Sequence, residues 1–343
     1  MQPDLKLSIC IPTRNRAAYL EELLKSIFAQ NLQGVEVIIS DNASTDGTAA
    51  LAAKYPGVIY HKNYKNIGFD ANVIKVISYA RAPYCWLMGD DDILYPGAIN
   101  YLLNKLREGF AFYAISFDIC DGRMKHLQKG GYLIKEKDGE VFDFSRRQGA
   151  LAYLERVKAN AGLFGFMGGV IFRREAWLKI NPPKELMGLG WIHIFFFWSI
   201  LQSGVKAKFL AEPLMKLRLQ YQNTTQAKTR LSRLLMEFKG LQKTAALLFK
   251  KDKEVYNAFL AAVTRYTAPS SIPPYFTLSK EDKKLWPQFI ACLQAYPYPQ
   301  SFKKSLENKK RLNFIYFARE FINQPALRRI KKPFKLLKDS IKG

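Results

Sequence analysis

Short apolar runs and helical patterns alternate along the first hundred residues of the chain. Four runs rich in β-branched residues have the length of strands, and the segments between them place apolar residues at the spacing of an amphipathic helix. The predicted strands are Leu5–Ile11, Val35–Ser40, Val58–His61 and Tyr84–Met88. Strands that alternate with helices are typical of βα units. The sequence therefore predicts an α/β fold with a doubly wound, mostly parallel sheet.

The helices predicted between these strands carry apolar stripes. One stripe comprises Leu20, Leu23, Leu24, Ile27 and Phe28, and the other comprises Val73, Val76, Ile77 and Ala80. A further helix is expected to begin near Pro96, because proline suits the first turn of a helix. Ligands of doubly wound sheets bind beyond the carboxyl ends of the strands, so a site is expected in the loops that follow them.

Polar clusters follow the first, second and fourth predicted strands, at residues 12–16, 41–48 and 89–92. All three clusters should share one edge of the sheet. The chain contains neither G-x-G-x-x-G nor G-x-x-x-x-G-K-[ST], so the sequence supports neither a Rossmann dinucleotide site nor a P-loop. A different kind of nucleotide site is expected.

Three consecutive carboxylates, Asp90, Asp91 and Asp92, follow the fourth predicted strand. Adjacent carboxylates repel one another by about 1 kcal/mol per pair in water, and by more when they are partly buried. A hard divalent cation such as Mg²⁺ or Mn²⁺ would offset this charge and bridge to a diphosphate. In the alternative interpretation, Asp92 only helps to begin the helix near Pro96 and the other two carboxylates are solvated.

Asp41 and the segment 66–72 are further polar candidates. An Asp after a strand often closes an Asx turn, but beside the other clusters Asp41 is also suited to accept the N–H of a pyrimidine base. In the segment 66–72, Asp70 is a candidate N-cap of the next helix, and Asn72 is a candidate contact to the nucleotide.

In order and spacing, these clusters resemble the family 2 inverting glycosyltransferases of GT-A fold. The matching segments are residues 8–16, 38–48, 66–68 and 89–99. The resemblance covers roughly Lys6 to Leu106, with a weaker similarity through 165–217 and none beyond. It implies a GT-A-like, doubly wound and mostly parallel sheet. Beyond Leu217 the composition itself changes and predicts a basic helical C-terminal region.

The resemblance also implies roles for individual residues. The expected nucleotide-sugar site comprises Pro12, Thr13, Asn15, Asp41, Asn72 and Asp90, with Asp41 holding the base of UDP and Asp90 near the ribose. Asp91 and Asp92 are expected to bind the Mg²⁺ or Mn²⁺, and the spacing leaves open which is the direct ligand. The cation then neutralises the departing diphosphate while an acceptor hydroxyl attacks the anomeric carbon in line.

The catalytic base is where the sequence departs from the family. Inverting transfer needs a group that takes the proton of the acceptor hydroxyl, and the family uses the Asp of a Glu-Asp pair upstream of a glycine at a helix end. Counting back from Gly204 reaches His193, with Ile192 in the place of the Glu. An imidazole can accept a proton near neutral pH, so His193 is the predicted base and Glu185 the reserve candidate. The alternative is that His193 is a core residue.

A glycine-rich segment at residues 165–174 resembles the family's acceptor side, where small residues leave space for sugar rings. The alternative is a buried strand whose glycines allow close backbone approach. Four scattered cysteines, Cys10, Cys85, Cys120 and Cys292, are expected to be reduced core residues.

The net charge of the chain indicates a further binding partner. The 343 residues carry a formal net charge of +24, which indicates a polyanionic partner. Residues 302–343 hold 13 Lys and Arg against three acids, a net charge of +10. Within this tail, Leu327, Ile330, Phe334, Leu337 and Ile341 recur at helical spacing between basic residues. Such a stripe is expected to lie on an anionic membrane, unless the helix packs it against its own domain.

The sequence thus predicts a GT-A domain over residues 1–217 and, over 218–343, a helical region that ends in a membrane-associating tail. No apolar run is long enough to cross a bilayer and no signal peptide is recognisable, so the expected location is the cytoplasmic face of the inner membrane. By its resemblance, the protein would move a hexose or HexNAc from a UDP-sugar to a lipid-linked oligosaccharide or another bacterial glycan. Two alternatives remain: a glycan-binding protein of this fold without turnover, and a nucleic-acid-binding protein. For the latter, the sequence shows neither zinc-ligand spacing nor RNP-like aromatics, so no nucleic-acid partner is expected.

Overall fold

Four parallel strands form one half of a mixed sheet in the computed structural model, which describes residues 4–219, 229–267 and 279–300 together with Lys303. These strands are β1 (Leu7–Thr13), β2 (Val35–Asp41), β3 (Val58–Lys62) and β4 (Tyr84–Leu87), in the spatial order β3-β2-β1-β4. Every residue of β1 and β4 is buried, because helices cover both faces of this half of the sheet. The predicted strands and the α/β fold class are confirmed.

The second half of the sheet contains strands of both directions. Its strands are β5 (Ile93–Leu94), β6 (Phe112–Cys120), β7 (His126–Lys129), β8 (Val141–Asp143), β9 (Val170–Arg173) and β10 (Lys206–Arg218). Strand β9 lies antiparallel between β4 and β6, and β10 runs parallel to β6. The carboxyl ends of β1 to β4, β6 and β10 therefore meet at one edge, which we call the carboxyl edge.

The helices of the described residues follow the predicted pattern. They are α1 (Ala17–Phe28), α2 (Thr48–Ala53), α3 (Phe69–Ser78), α4 (Ala98–Leu106), α5 (Arg147–Arg156), α6 (Arg174–Leu178), α7 (Ile192–Gln202), α8 (Arg230–Phe249), α9 (Lys253–Tyr266) and α10 (Lys280–Gln294). The stripes on α1 and α3 are buried as predicted. The helix expected near Pro96 begins at Ala98, after Gly97 in the left-handed conformation.

The C-terminal helices pack on the side of the sheet that carries α5 and α7. Leu231, Leu235, Phe238 and Leu241 of α8 are buried, and the backbone of Gly240 lies against the Trp191 side chain. The division after residue 217 stays a prediction, and Arg218 is still part of β10. The basic tail, including its stripe Leu327 to Ile341, lies outside the described residues.

Two further expectations can be compared with the structure. All four cysteines are free and buried, as predicted. Within the described ranges, the helices are too short or too polar to cross a membrane.

Candidate active site

The loops after β1 and β2 are joined by hydrogen bonds. The backbone N–H of Asn15 donates to Ser44 Oγ at 2.9 Å, and the N–H of Thr45 donates to Asn15 Oδ1 at 2.8 Å. Asp46 accepts the N–H of Ala17 at 3.0 Å, and so caps the first turn of α1 from the neighbouring loop. The side chain of Asn15, a predicted nucleoside contact, therefore holds the two loops together.

Pro12 and Thr13 end β1 at the carboxyl edge. Pro12 is buried and pairs with Ser40 of β2. Thr13 Oγ1 donates to Asp90 Oδ2 at 2.7 Å, so two of the predicted nucleotide residues are in direct contact.

Asp41 has no solvent-exposed surface, and both of its carboxylate oxygens accept hydrogen bonds. The N–H of Ser44 donates to Oδ1 at 2.8 Å, which closes the Asx turn, and the Tyr60 hydroxyl donates to Oδ2 at 2.5 Å. Burial and the Asp41 carboxylate raise the pKa of Tyr60, so its hydroxyl remains a proton donor. Because Asp41 has no exposed surface, a base N–H does not reach it in this arrangement of Ser44 and Tyr60. Tyr60 was not predicted as a site residue, because nothing in the sequence pattern of β3 distinguishes it from the other residues of that strand.

Asn72 lies in a buried network of amides beneath this loop. Its Oδ1 accepts from Ser40 Oγ at 2.7 Å and from Asn63 Nδ2 at 2.9 Å, and its Nδ2 donates to the carbonyl of Ser40 at 2.8 Å. Through these hydrogen bonds to Ser40, Asn72 supports the loop that carries Asp41. It lies beneath that loop, and its contact to the nucleotide stays a prediction.

The acid triplet after β4 is held by an arginine of the first loop. Arg16 Nη2 lies 2.6 Å from Asp91 Oδ2, and Arg16 Nε lies 3.3 Å from Asp90 Oδ1. Asp90 and Asp92 are buried, whereas Asp91 is partly exposed. The Arg16 guanidinium therefore supplies part of the positive charge that the three carboxylates require.

A second arginine, Arg218 at the end of β10, fixes the backbone of the triplet. Its Nε donates to the carbonyl of Asp91 at 2.9 Å and its Nη1 to the carbonyl of Gly122 at 2.7 Å. Its Nη2 lies 2.7 Å from Glu22 Oε2 on α1, and its backbone N–H donates to Asp92 Oδ1 at 3.3 Å. No local pattern marks Arg218 as a partner of the acid triplet, which it follows by more than a hundred residues.

Burial dominates the titration of the triplet. It raises the pKa of Asp90 to about 7, although Arg16 lowers it and Asp91 raises it further. Burial also raises the pKa of Asp92 well above its ordinary value, and the neighbouring charge of Asp91 adds to this. Arg16 therefore does not offset the whole cost of burying these charges, and additional positive charge would favour the ionised forms.

Asp91 and Asp92 turn their carboxylates toward Gly89. A Cβ at Gly89 would lie 2.8 Å from Asp92 Oδ2 and 3.2 Å from Asp91 Oδ1, so the two oxygens converge on space that only glycine leaves open. Among the described residues, no group of three or more acidic, His or Cys side chains forms a complete metal site. Mg²⁺ is usually bound by one or two carboxylates together with phosphates and water. The pair therefore fits a metal site that a diphosphate completes.

His193 lies in the first turn of α7 and is buried. Its Nε2 is 3.1 Å from the carbonyl oxygen of Gly165 and must carry the proton to donate to it, which leaves the lone pair on Nδ1. Nδ1 is buried without a hydrogen-bond partner among the described residues. Burial lowers the pKa of His193 to about 4, so the imidazole is neutral at pH 7. Glu185, the reserve candidate, lies exposed in the 3₁₀ turn Lys184–Leu186.

The glycine-rich segment before β9 is closely packed. A Cβ at Gly165 would lie 1.3 Å from Asn160 Oδ1, and one at Gly169 would lie 1.8 Å from the Tyr132 hydroxyl. These glycines allow close approach of side chains to the backbone. At these two positions they leave no space for a sugar ring in this structure.

The sequence of this chain is similar to those of known proteins. The family model described as Glycosyl transferase family 2 matches residues 8–176. The abequosyltransferase RfbV of Salmonella typhimurium is 30% identical over 267 residues, which cover 74% of this chain and 78% of that protein. The chain belongs to glycosyl transferase family 2. A second relative, the GalNAc(5)-diNAcBac-PP-undecaprenol beta-1,3-glucosyltransferase of Campylobacter jejuni, is 33% identical over 205 residues, which cover 52% of this chain and 60% of that protein.

Solved structures confirm the fold of this family 2 glycosyltransferase. TarS 1–349 of S. aureus has a TM-score of 0.63 at 16% identity, covering 91% of this chain and 89% of that one. TarS 1–349 has also been solved with UDP and with UDP-GlcNAc. The likeness supports the predicted GT-A-like sheet.

In this glycosyltransferase, replacing Arg218 by Lys should loosen the triplet. Lysine keeps the charge but cannot donate to Asp91, Gly122 and Glu22 together. The loss of one such charged hydrogen bond corresponds to about tenfold weaker binding of UDP, the expected nucleotide, in titration calorimetry with Mn²⁺.

Arg156→Lys is the matched control. Arg156 likewise bonds two carbonyls and Glu140, but in another part of the protein. The Arg156→Lys variant should have a lower melting temperature than the wild type and an unchanged affinity for UDP. Unchanged UDP affinity in Arg218→Lys would contradict this role.

Proposed function

We propose that the protein transfers a sugar from a UDP-sugar to a lipid-linked glycan acceptor in the assembly of a bacterial surface polysaccharide or glycoprotein glycan. The observation that carries this proposal is the joining of the acid triplet to the first loop through Thr13 and Arg16 at the carboxyl edge. The two relatives are named for transfer of abequose and of glucose, the latter to an undecaprenol-linked acceptor. The hexose or HexNAc, the UDP carrier and the inverting outcome are parts of the proposal.

The nucleoside would lie across the interlocked loops after β1 and β2. Pro12, Thr13 and Asn15 would line it, and Asp41 would accept the base N–H after Tyr60 releases Oδ2. Asn72 would act from below by holding the loop that carries Asp41. Asp90, which accepts from Thr13 at the same edge, would approach the ribose.

Asp91 and Asp92 would hold Mg²⁺ or Mn²⁺, since their oxygens converge over Gly89. When bound, such a cation offsets the negative charge that develops on the departing diphosphate. Arg16 pairs with Asp91, and its guanidinium would turn toward the diphosphate when Asp91 takes another partner. Its planar fork suits phosphate oxygens.

His193 is the proposed base. The Gly165 carbonyl fixes the tautomer, so Nδ1 is the atom that would accept the proton of the acceptor hydroxyl. A pKa of about 4 keeps the imidazole neutral and ready to accept a proton at pH 7, although it makes the base weak. Because only 3% of the residue is exposed and Nδ1 is buried, an acceptor would reach Nδ1 only after a local rearrangement around His193.

The acceptor side would be held at an anionic membrane by the basic tail. Its net charge of +10 and its apolar stripe suit peripheral binding on the cytoplasmic face. A lipid-linked acceptor is also presented at that surface. The charge has no nucleic-acid role in this proposal.

The cation proposal predicts that Asp91→Ala and Asp92→Ala each lower turnover by orders of magnitude and leave the melting temperature nearly unchanged. Release of the nucleoside diphosphate from each member of a panel of UDP-, CDP- and GDP-sugars with Mg²⁺ or Mn²⁺ measures this. Asp121→Ala, in the nearby turn after β6, is the control for losing one carboxylate and should retain activity. Full turnover in EDTA would rule out the metal requirement.

The base proposal predicts that His193→Ala abolishes transfer but spares UDP-sugar binding, whereas Glu185→Gln has a smaller effect. The neutral form of His193 persists down to about pH 4, so protonation of this residue should not limit transfer between pH 5 and 8. Transfer to the acceptor and binding of the donor are measured separately. Near-normal transfer by His193→Ala would place the base elsewhere. Donor binding without transfer by the wild-type protein would favour a glycan-binding protein without turnover.

The membrane proposal predicts that deleting residues 324–343 weakens binding to vesicles that contain anionic lipid. Because part of the attraction is Coulombic, binding of the intact chain should fall as salt rises. Co-sedimentation with phosphatidylglycerol vesicles measures the effect, and phosphatidylcholine vesicles are the control. Equal binding by the truncated and intact chains would favour a tail that packs on its own domain.

A further inference from the structure

Asp70 binds a segment that lies far from it in the sequence. It lies in the first turn of α3, but Gly68 is the N-cap residue of that helix, so the predicted role of Asp70 as N-cap is wrong. Its Oδ2 accepts the N–H of Gly188 at 2.8 Å and that of Gly190 at 2.9 Å, and its Oδ1 accepts the N–H of Ile192 at 3.2 Å. Asp70 is 1% exposed.

This carboxylate supplies what the start of α7 lacks. The N-cap residue of α7, Trp191, makes no side-chain capping bond. An anion at a helix N-terminus satisfies free N–H groups and interacts favourably with the helix dipole. Gly188 and Gly190 have φ of +84° and +79°, a backbone conformation that side chains disfavour and that turns their N–H groups toward one point. Asp70 therefore organises the loop before α7 as well as the first helical turn.

The same turn of α3 is also tied to the expected nucleotide site. Asn42, directly after Asp41, donates from Nδ2 to the carbonyl of Gly68 at 3.2 Å and accepts the N–H of Ile67 at 2.8 Å. The side chain of Asn72 bonds Ser40 at the end of β2. One helical turn thus contacts the nucleotide loops on one side and residues 188–192 on the other.

We propose that Asp70 is a positioning residue: it fixes the segment Gly188–His193, and with it the His193 imidazole, in register with the nucleotide loops. This inference rests on the proposed glycosyl transfer for its consequence, but not for the contacts themselves. Asp70 does not touch the reacting atoms. Its carboxylate sets where the acceptor side of the site lies relative to the donor side.

Asp70→Asn tests the proposal, because the amide NH₂ that replaces one oxygen faces backbone N–H groups and cannot accept from them. We expect kcat for transfer to fall by about a hundredfold, the effect of misplacing a reacting group by about 1 Å. The Kd of UDP should stay within about twofold, because the Asp70 carboxylate bonds residues 188–192 and not the nucleotide loops. Loss of one hydrogen bond on the nucleotide side would instead weaken UDP binding about tenfold. The amides of residues 186–193 should exchange with deuterium faster than in the wild type.

Asp143→Asn is the matched control. Asp143 also accepts a backbone N–H, that of Ser145, in a turn that joins β8 to α5 at the other end of the sheet. It should leave kcat, UDP binding and exchange at 186–193 unchanged. An Asp70→Asn protein with normal kcat, or one that has lost UDP binding together with kcat, would overturn the proposal.

Wild-type protein supplies a test that does not depend on whether the variant folds. Gly188 lies on the surface, yet its amide should exchange slowly, as should those of Gly190 and Ile192, because each is bonded to buried Asp70. Rapid exchange at all three amides would overturn the proposal. If His193→Ala kept its turnover, the catalytic base would be misassigned, while slow exchange at these amides would still support Asp70 as the residue that orders the loop.

Discussion

Three carboxylates placed side by side at the end of a buried strand must be neutralised, and much of the carboxyl edge is arranged to do so. Arg16 reaches them from the first loop, Thr13 donates to Asp90, and β10 returns to the sheet so that Arg218 can bind the Asp91 carbonyl. Even so, burial keeps the pKa of Asp90 near 7. The edge therefore retains a deficit of positive charge. A cation bound together with a nucleoside diphosphate would meet that deficit, and this relates the electrostatics of the fold to glycosyl transfer.

The loops of the proposed donor and acceptor sides are linked by polar contacts that cross between elements. Asp46 caps α1 from the next loop, and Asp70 reaches from α3 to the start of α7. The N-cap residues of α1 and α7 make no side-chain capping bond, so these two carboxylates satisfy N–H groups at the start of each helix. The loops of the site are thereby held by neighbouring loops and helices, so that a binding event in one loop can affect the next. His193, in the first turn of α7, lies at the end of this series of contacts.

The sequence predicted features that depend on neighbouring residues along the chain. The strands, the buried stripes of α1 and α3, and the acid triplet at a strand end all follow from local patterns and from the edge rule of parallel sheets. Partnerships between distant segments left no such pattern, and Tyr60 with Asp41, Arg218 with Asp91, and Asp70 with Gly190 were all missed. Asn72 was predicted to contact the nucleotide from its place at the start of a helix, whereas its hydrogen bonds to Ser40 and Asn63 involve residues outside that segment and were not predicted.

The proposed binding place of a cation and of the diphosphate of UDP is the point over Gly89 at which Asp91 and Asp92 converge. Anomalous scattering from crystals of the protein grown with UDP and Mn²⁺ tests this placement. We expect a manganese peak bonded to Asp91 or Asp92 and to the diphosphate, with the uracil beside Asp41 and Arg16 no longer paired with Asp91. UDP bound away from the carboxyl edge, or a diphosphate held there with no metal near either carboxylate, would contradict it.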